Sequence, residues 1–171
     1  MEDKQLGEET NNQGRRWVLS SSDDMLNGVV KLLRGTNRRV SIFSPDLEPG
    51  IYDDERFLEA VKHLTLGKPF ARIRVLIANP QRVVRNGNPF VQLARRVSAC
   101  IEFRNVAPEY QHHREAFFIS DETALIYRVD AAKWDGIADT HEPAVARRYL
   151  GLFDEVWHAS QVQLEKTDIR V

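Results

Sequence analysis

Short apolar segments of strand character alternate along the chain with longer segments whose apolar residues recur at helical spacing. Residues 40–44 and 72–78 form such apolar runs, and amphipathic helix patterns precede and follow each of them. This alternation is typical of α/β domains, in which helices cover a largely parallel sheet. Residues 116–119 and 124–127 flank a polar turn and predict an antiparallel hairpin. We therefore expect an α/β fold with a mixed, mostly parallel sheet flanked by helices.

Length and composition predict one folded domain. The chain has 171 residues, of which 42% are hydrophobic, and this is enough to bury a single core. Residues 1–15 contain almost no apolar side chains, which predicts a disordered N-terminal tail. We place the domain at residues 16–165 and a C-terminal tail at residues 166–171.

Charge and cysteine content narrow the classes of function. The formal net charge of −1 does not favour nucleic acid or a membrane surface as a partner. Cys100 is the only cysteine, which excludes an internal disulfide, and the sequence has no metal-ligand pattern. There is no apolar run long enough to span a membrane and no signal-peptide pattern. We therefore expect a cytoplasmic protein that uses no metal and no cofactor.

Arginine outnumbers lysine by 18 to 6, and its planar guanidinium group suits phosphate and carboxylate ligands. The sequence lacks the nucleophile-elbow, phosphate-loop and dinucleotide-binding motifs. Any catalytic or ligand-binding residues must therefore belong to a motif other than these three.

One such pattern lies at the start of the predicted hairpin, where residues 112–121 have the sequence HHREAFFISD. This segment resembles the motif of phospholipase-D-like domains, H-x-K followed after four residues by D. When Asp121 is aligned with the motif aspartate, Arg114 stands at the histidine position and Ala116 at the lysine position. The segment 140–142 resembles the N-x-E element before the last helix of that family. The chain thus resembles a single-copy phospholipase-D-like domain of bacterial style, with a degenerate motif, over residues 17–165.

The resemblance implies a fold that supports phosphodiester chemistry and a motif that has lost the residues for it. In the family, the histidine attacks phosphorus, the lysine holds phosphate oxygens, and a second motif copy comes from a tandem repeat or a homodimer. Arg114 cannot act as the nucleophile because a guanidinium group stays protonated. We therefore expect a homodimeric, catalytically inactive module that binds an anionic, phosphate-containing ligand or a protein partner. An accessory role beside an acyltransferase is implied by the resemblance alone.

Two alternative functions remain open from the sequence. The first is a dimeric phosphodiesterase or phosphatidyltransferase that uses His112 or His113, with Asp121 as a further weak catalytic candidate. The second is a membrane-surface module that binds lipid headgroups.

The predicted ligand site combines residues from three segments. Arg128 faces either Glu115 or Ala116 across the hairpin, and opposite Ala116 its guanidinium would take the place of the family's lysine. His141 and Glu142, at the start of the last helix, are expected to meet the loop of residues 112–114. Trp134, in the predicted loop of residues 129–142, is expected to cover the cleft. The predicted ligand-binding residues are Arg114, Arg128, Trp134, His141 and Glu142.

Overall fold

The computed structural model of the protein describes residues 15–160, apart from the side chain of Asn86. The tails predicted from the sequence lie outside this range, except for Arg15. Within the described residues, the seven strands are β1 (Arg16–Leu19), β2 (Arg39–Ser44), β3 (Arg72–Ile77), β4 (Ile101–Asn105), β5 (Ala116–Ser120), β6 (Ala124–Arg128) and β7 (Gly136–Asp139). The five α-helices in the same part of the chain are α1 (Ser22–Arg34), α2 (Glu55–Gly67), α3 (Pro80–Asn86), α4 (Pro89–Arg96) and α5 (Pro143–Ala159).

The strands form one mixed sheet in the order β1-β7-β6-β5-β2-β3-β4. This confirms the predicted mixed sheet flanked by helices, but fewer strands are parallel than we expected. Strands β2, β3 and β4 pair in parallel, whereas the other four pairings are antiparallel. The difference arises largely from β7, which we predicted to be part of a loop. This four-residue strand pairs antiparallel with both β1 and β6 and so adds two antiparallel ladders.

Each face of the sheet carries its own hydrophobic core. On one face, side chains such as Ile42, Val75 and Ile126 pack with the buried residues of α1, α2 and α4. On the other face, Phe43 and Phe117 pack with Phe153 and Trp157 of α5. The alternation of side chains along each strand explains this division, because successive residues point to opposite faces. Both layers of helices are therefore required to cover the sheet.

Local sequence explains where the first long helix begins and how closely it packs. The Asp24 backbone N–H donates to Ser21 Oγ at 3.1 Å, which caps the first turn of α1. The Asp24 carboxylate accepts from the Ser20 backbone N–H, and this hydrogen bond lowers the pKa of Asp24. Farther along α1, a Cβ atom at Gly28 would lie 2.9 Å from Ile126 Cδ1, so glycine lets the helix pack closely on β6 without a shift of the Ile126 side chain.

The ends of the parallel strands define two edges of the sheet. The carboxyl edge is where β2, β3 and β4 end, and it includes residues 44–48, 112–116 and 128–136. The amino edge is where those strands begin, and it includes residues 34–39, 66–72 and 120–123.

Candidate functional site

Arg128 lies directly across from Ala116 in the β5–β6 hairpin. This confirms one of the two pairings expected from the sequence. It follows from the three-residue turn 121–123 between Ser120 and Ala124, in which Asp121 and Glu122 have positive φ values of 55° and 68°. Such a turn fixes the register of a hairpin. The guanidinium-bearing residue of β6 is therefore paired with Ala116 of β5.

The guanidinium group of Arg128 is engaged within the protein. Its side chain is 1% exposed and forms a buried ion pair with Glu48. Arg128 Nη1 donates to the backbone oxygens of Ala131 and Lys133 at 3.2 and 2.8 Å. The ring of Trp134 covers the guanidinium, with 4.8 Å between the ring centroid and Cζ. The structure thus places Trp134 over the Arg128 guanidinium, whereas the sequence predicted that it covers a ligand cleft.

Glu48 reaches Arg128 because the chain turns back sharply after β2. Leu47 adopts a left-handed backbone with φ 55°, and its N–H donates to Ser44 Oγ at 2.9 Å. Ser44 Oγ in turn donates to Glu48 Oε1 at 3.1 Å. The residues that follow β2 therefore fix the carboxylate at the carboxyl edge, before any ligand binds.

Gly136 provides the space for the Arg128 side chain. A Cβ atom at this position would lie 2.7 Å from Arg128 Cγ and 2.8 Å from the backbone oxygen of Tyr127. A side chain here would collide with the backbone of β6, which cannot easily move. The glycine at the start of β7 is therefore part of the arrangement that buries Arg128.

Burial lowers the pKa of Arg128 to about 10, and the negative charges of Asp46 and Asp130 oppose this shift. The guanidinium group thus stays charged at neutral pH. Glu48 compensates this charge inside the protein, and the two aspartates add further negative potential. Within residues 15–160, Arg128 Nε is buried without a hydrogen-bond partner. An incoming phosphate would therefore have to displace Glu48 to bind this cation.

The two adjacent histidines lie toward the solvent side of the carboxyl edge. His112 is exposed, and its ring stacks on the ring of His113 at a centroid distance of 4.4 Å. His113 Nδ1 lies 3.3 Å from Glu115 Oε1. Arg114 is exposed, and its backbone oxygen accepts from the Ala131 N–H at 2.7 Å. In the part of the chain that the structure describes, no hydrogen bond or ring contact joins either histidine to the Arg128–Glu48 pair.

Asp121 lies at the opposite edge from these histidines. Its carboxylate accepts from the backbone N–H groups of Asn37, Arg38 and Arg39 at 2.7, 2.7 and 3.0 Å. An extended chain rises by about 3.3 Å per residue, so the seven residues from Arg114 to Asp121 span roughly 20 Å. Asp121 therefore anchors the start of β2 and cannot share a reaction centre with His112 or His113 of the same chain.

The expectation that His141 and Glu142 meet the loop of residues 112–114 is wrong. The Glu142 backbone N–H donates to the Thr123 oxygen at 2.7 Å, beside the β5–β6 turn at the amino edge. The reason is β7, which carries the chain back across the sheet before α5 begins. The predicted site residues are thus divided, with Arg114, Arg128 and Trp134 at one edge and His141 and Glu142 at the other.

Sequence reasoning did not identify Glu48, the partner of Arg128. The available signal was its position, because it is an acidic residue four positions after the buried end of β2. Across the described range, no group of three or more His, Cys, Asp or Glu side chains is arranged to hold a metal ion. No helix in that range combines the length and apolar character that crossing a membrane requires.

Comparison with known structures assigns the fold. TrmBL2, described as an archaeal chromatin protein with a novel mode of DNA binding, is 12% identical with a TM-score of 0.62; the match covers 94% of this chain. The chain spans 61% of the length of TrmBL2. Nuc from Salmonella typhimurium, a phospholipase D family member, is 14% identical with a TM-score of 0.57, and the match covers 86% of this chain and 97% of Nuc. NucT from Helicobacter pylori is 9% identical with a TM-score of 0.55, and the match covers 86% of this chain and 98% of NucT.

These similarities give the chain the phospholipase-D-like fold that the sequence predicted. At such low identity they are evidence for the fold and leave the activity open. None of the curated proteins matches the chain. The sequence of residues 21–170 matches a family that is described as Domain of unknown function (DUF7931), and the chain belongs to this family.

Proposed function

We propose that the protein is a catalytically inactive phospholipase-D-like module that binds a phosphate-containing ligand. One observation supports the first part: Arg128 is neutralised by Glu48 and covered by Trp134 inside the protein. When Asp121 is aligned with the motif aspartate, Arg128 pairs with Ala116 at the position of the motif lysine, so this cation would not be free to hold a substrate phosphate.

The groups around this ion pair also lack a nucleophile. Arg114 stands at the histidine position of the motif and keeps its proton, and Ala116 offers no functional group. His113 lies 3.3 Å from the Glu115 carboxylate, and both histidines lie outside the buried centre. Covalent phosphoryl transfer needs a nucleophile held against an activated phosphate. The groups around the ion pair supply neither the nucleophile nor a free cation that would activate the phosphate.

The second part of the proposal depends on the exposed arginines. Guanidinium groups bind phosphate oxygens through paired hydrogen bonds, and several arginines, including Arg38 and Arg114, remain exposed. Because the carboxyl edge also carries Asp46, Glu48 and Asp130, a phosphate ligand should bind exposed cations rather than the buried Arg128.

An activity assay tests the first part. The purified protein is incubated with bis-p-nitrophenyl phosphate, and release of p-nitrophenolate is followed against a buffer blank. We expect no release above the blank. Hydrolysis that is lost when His112 and His113 are both changed to Ala would overturn the proposal and favour the dimeric enzyme.

A thermal-shift measurement tests the second part. Inorganic phosphate and glycerophosphate are titrated against the protein, with chloride at the same ionic strength as the control. A ligand at a hundredfold its Kd stabilises the folded state by about 2.7 kcal/mol, which gives a visible rise in Tm. If the phosphate compounds and chloride give the same Tm at all concentrations, the protein does not bind phosphate, and the proposed ligand class is wrong.

A further inference from the structure

The amino edge exposes two large apolar side chains close together. Leu66, in the last turn of α2, is 77% exposed, and Phe70, in the loop that follows, is 61% exposed. Among the residues that the structure describes, only Val18 and Val129 are comparable large exposed hydrophobics. Two of these four side chains therefore fall within five residues of sequence, on one edge.

The loop that presents Phe70 is held in place. The Ala71 N–H donates to the Lys68 oxygen at 2.8 Å, which closes a four-residue turn with Pro69 and Phe70 at its centre. Arg72 Nη1 donates to the backbone oxygens of Pro69 and Ala71 at 3.0 and 2.8 Å. Phe70 is thus directed into solvent by a fixed turn, although burying it would release about 1.5–3 kcal/mol.

The surroundings of these apolar side chains are basic. Lys68 and Arg72 flank Phe70 in sequence, and Arg34 and Arg38 lie at the same edge of the sheet. Arg38 directly precedes β2 and Arg72 begins the neighbouring strand β3; the Arg72 N–H donates to the Arg38 oxygen, so both residues lie beside the Phe70 turn. Basic side chains in the last turn of a helix compensate the helix dipole. Basic side chains at the start of a strand have no helix dipole to compensate.

The nearest acidic side chains at this edge are already paired. The Asp121 carboxylate accepts three backbone N–H groups at the start of β2. Glu122 forms an ion pair with Arg39 at 3.5 Å. Arg34 and Arg38 are exposed and leave an excess of positive charge around Leu66 and Phe70.

A surface cavity opens beside Leu66. It has a volume of about 550 Å³ and lies between α1 and α2, with Arg34, Glu59, His63 and Lys68 in its wall. The Glu59 carboxylate forms an ion pair with Lys62 at 3.5 Å. Leu66 lies in the same turn of α2 as the lining residues Leu64 and Gly67. The cavity is therefore large enough for a small anionic group and lies close in the chain to an exposed apolar side chain.

We infer that the amino edge docks on an anionic phospholipid bilayer. Leu66 and Phe70 enter the interfacial region, Arg34, Arg38 and Arg72 face the lipid phosphates, and the cavity accepts a headgroup. An aliphatic side chain such as Leu66 gains free energy in a bilayer but does not stack on bases, which favours a bilayer over nucleic acid. The inference rests on the proposed binding function and names the ligand of the module as membrane phospholipid.

Co-sedimentation with vesicles tests this inference. The full chain is mixed at low salt with vesicles of phosphatidylcholine alone or of phosphatidylcholine with phosphatidylserine. We expect sedimentation only with the anionic vesicles, and less of it as salt is raised. The double variant Leu66→Ser with Phe70→Ser should bind the anionic vesicles about tenfold more weakly than the wild type, or more weakly still. Arg34→Ala and Arg38→Ala should each weaken binding roughly fivefold.

Matched controls come from the opposite edge. Val129 is 70% exposed, so Val129→Ser removes a similar exposed apolar side chain, and Arg85→Ala removes an exposed charge from α3, which follows the carboxyl end of β3. Both variants should sediment like the wild type. The inference is overturned if the double variant sediments like the wild type, or if the wild type fails to bind anionic vesicles at low salt. Equal binding to phosphatidylcholine alone would also overturn it.

The experiment separates this inference from the proposed function. If vesicle binding is absent but phosphate still raises Tm, the docking surface is wrong and the proposed function stands. Phosphodiester hydrolysis would contradict the proposed function whatever the vesicles show. Binding of single-stranded DNA that needs Arg38 but not Leu66 or Phe70, without vesicle binding, would assign the edge to nucleic acid and overturn the inference.

Discussion

The two edges of the sheet use their arginines in opposite ways. At the carboxyl edge, Arg128 is buried, paired with Glu48 and covered by Trp134. At the amino edge, Arg34 and Arg38 are exposed beside two exposed apolar side chains, Leu66 and Phe70. A positive charge in the expected catalytic position therefore need not be available to a ligand. Ligand-binding capacity is better judged from the exposure of cations than from motif positions.

The strongest test of this contrast removes the partner of the buried arginine. Glu48→Ala would leave Arg128 charged and unpaired in the interior, so we expect a loss of about 3–5 kcal/mol in the free energy of unfolding. Chemical denaturation measures this loss. The double variant Glu48→Leu with Arg128→Met is the control, because it removes both charges and should recover most of the stability. A loss of less than about 1 kcal/mol for Glu48→Ala would show that Arg128 is accessible to water.

A second test concerns the aspartate of the motif. Asp121→Ala removes the acceptor for three backbone N–H groups at the start of β2, and we expect a loss of about 2 kcal/mol. Denaturation curves again give the value. Glu122→Ala is the neighbouring control, since its ion pair with Arg39 is half exposed and contributes about 0–1 kcal/mol. Equal losses for the two variants would contradict the anchoring role of Asp121.

A third test removes the aromatic cover of the carboxyl edge. Trp134→Ala takes away the ring that lies over the Arg128 guanidinium, and we expect a loss of about 1 kcal/mol. Trp134→Phe keeps an aromatic face and should lose less. If the two variants have the same stability as the wild type, the ring does not stabilise the buried pair.

The smallest expected effect lies at the amino edge. Leu66→Ser and Phe70→Ser change exposed side chains, so each should alter the free energy of unfolding by no more than about 0.5 kcal/mol. The comparison variant is Val129→Ser, which should behave in the same way. A large loss for Phe70→Ser alone would mean that this side chain supports the fold, and the contrast between the edges would weaken.

Much of the fold followed from local sequence. The apolar runs predicted β2, β3, β5 and β6, and the positions of apolar residues at helical spacing predicted α1, α2, α4 and α5. The sequence did not reveal β7, because only Ile137 and Ala138 of its four residues are apolar and its stability comes from pairing on both sides. The short helix α3 was also not predicted.

The candidate site was predicted less completely than the fold. The hairpin pattern limited Arg128 to two partners, and the structure selected Ala116. Trp134 was expected to cover a ligand cleft, and the structure places its ring over the Arg128 guanidinium. Glu48 and Arg128, however, are 80 residues apart, and no local pattern links a carboxylate after one strand to a guanidinium at the end of another.

By itself, the sequence determined most of the elements and the hairpin, because each depends on neighbouring residues or on residue type alone. Only the tertiary structure decided which charges are paired and which remain exposed. Strand order placed Glu48 against Arg128, and the pass of β7 across the sheet sent His141 and Glu142 to the far edge. The physical reason is that the free energy of a charged side chain depends on its partners and its exposure to water, and both are set by contacts between distant segments.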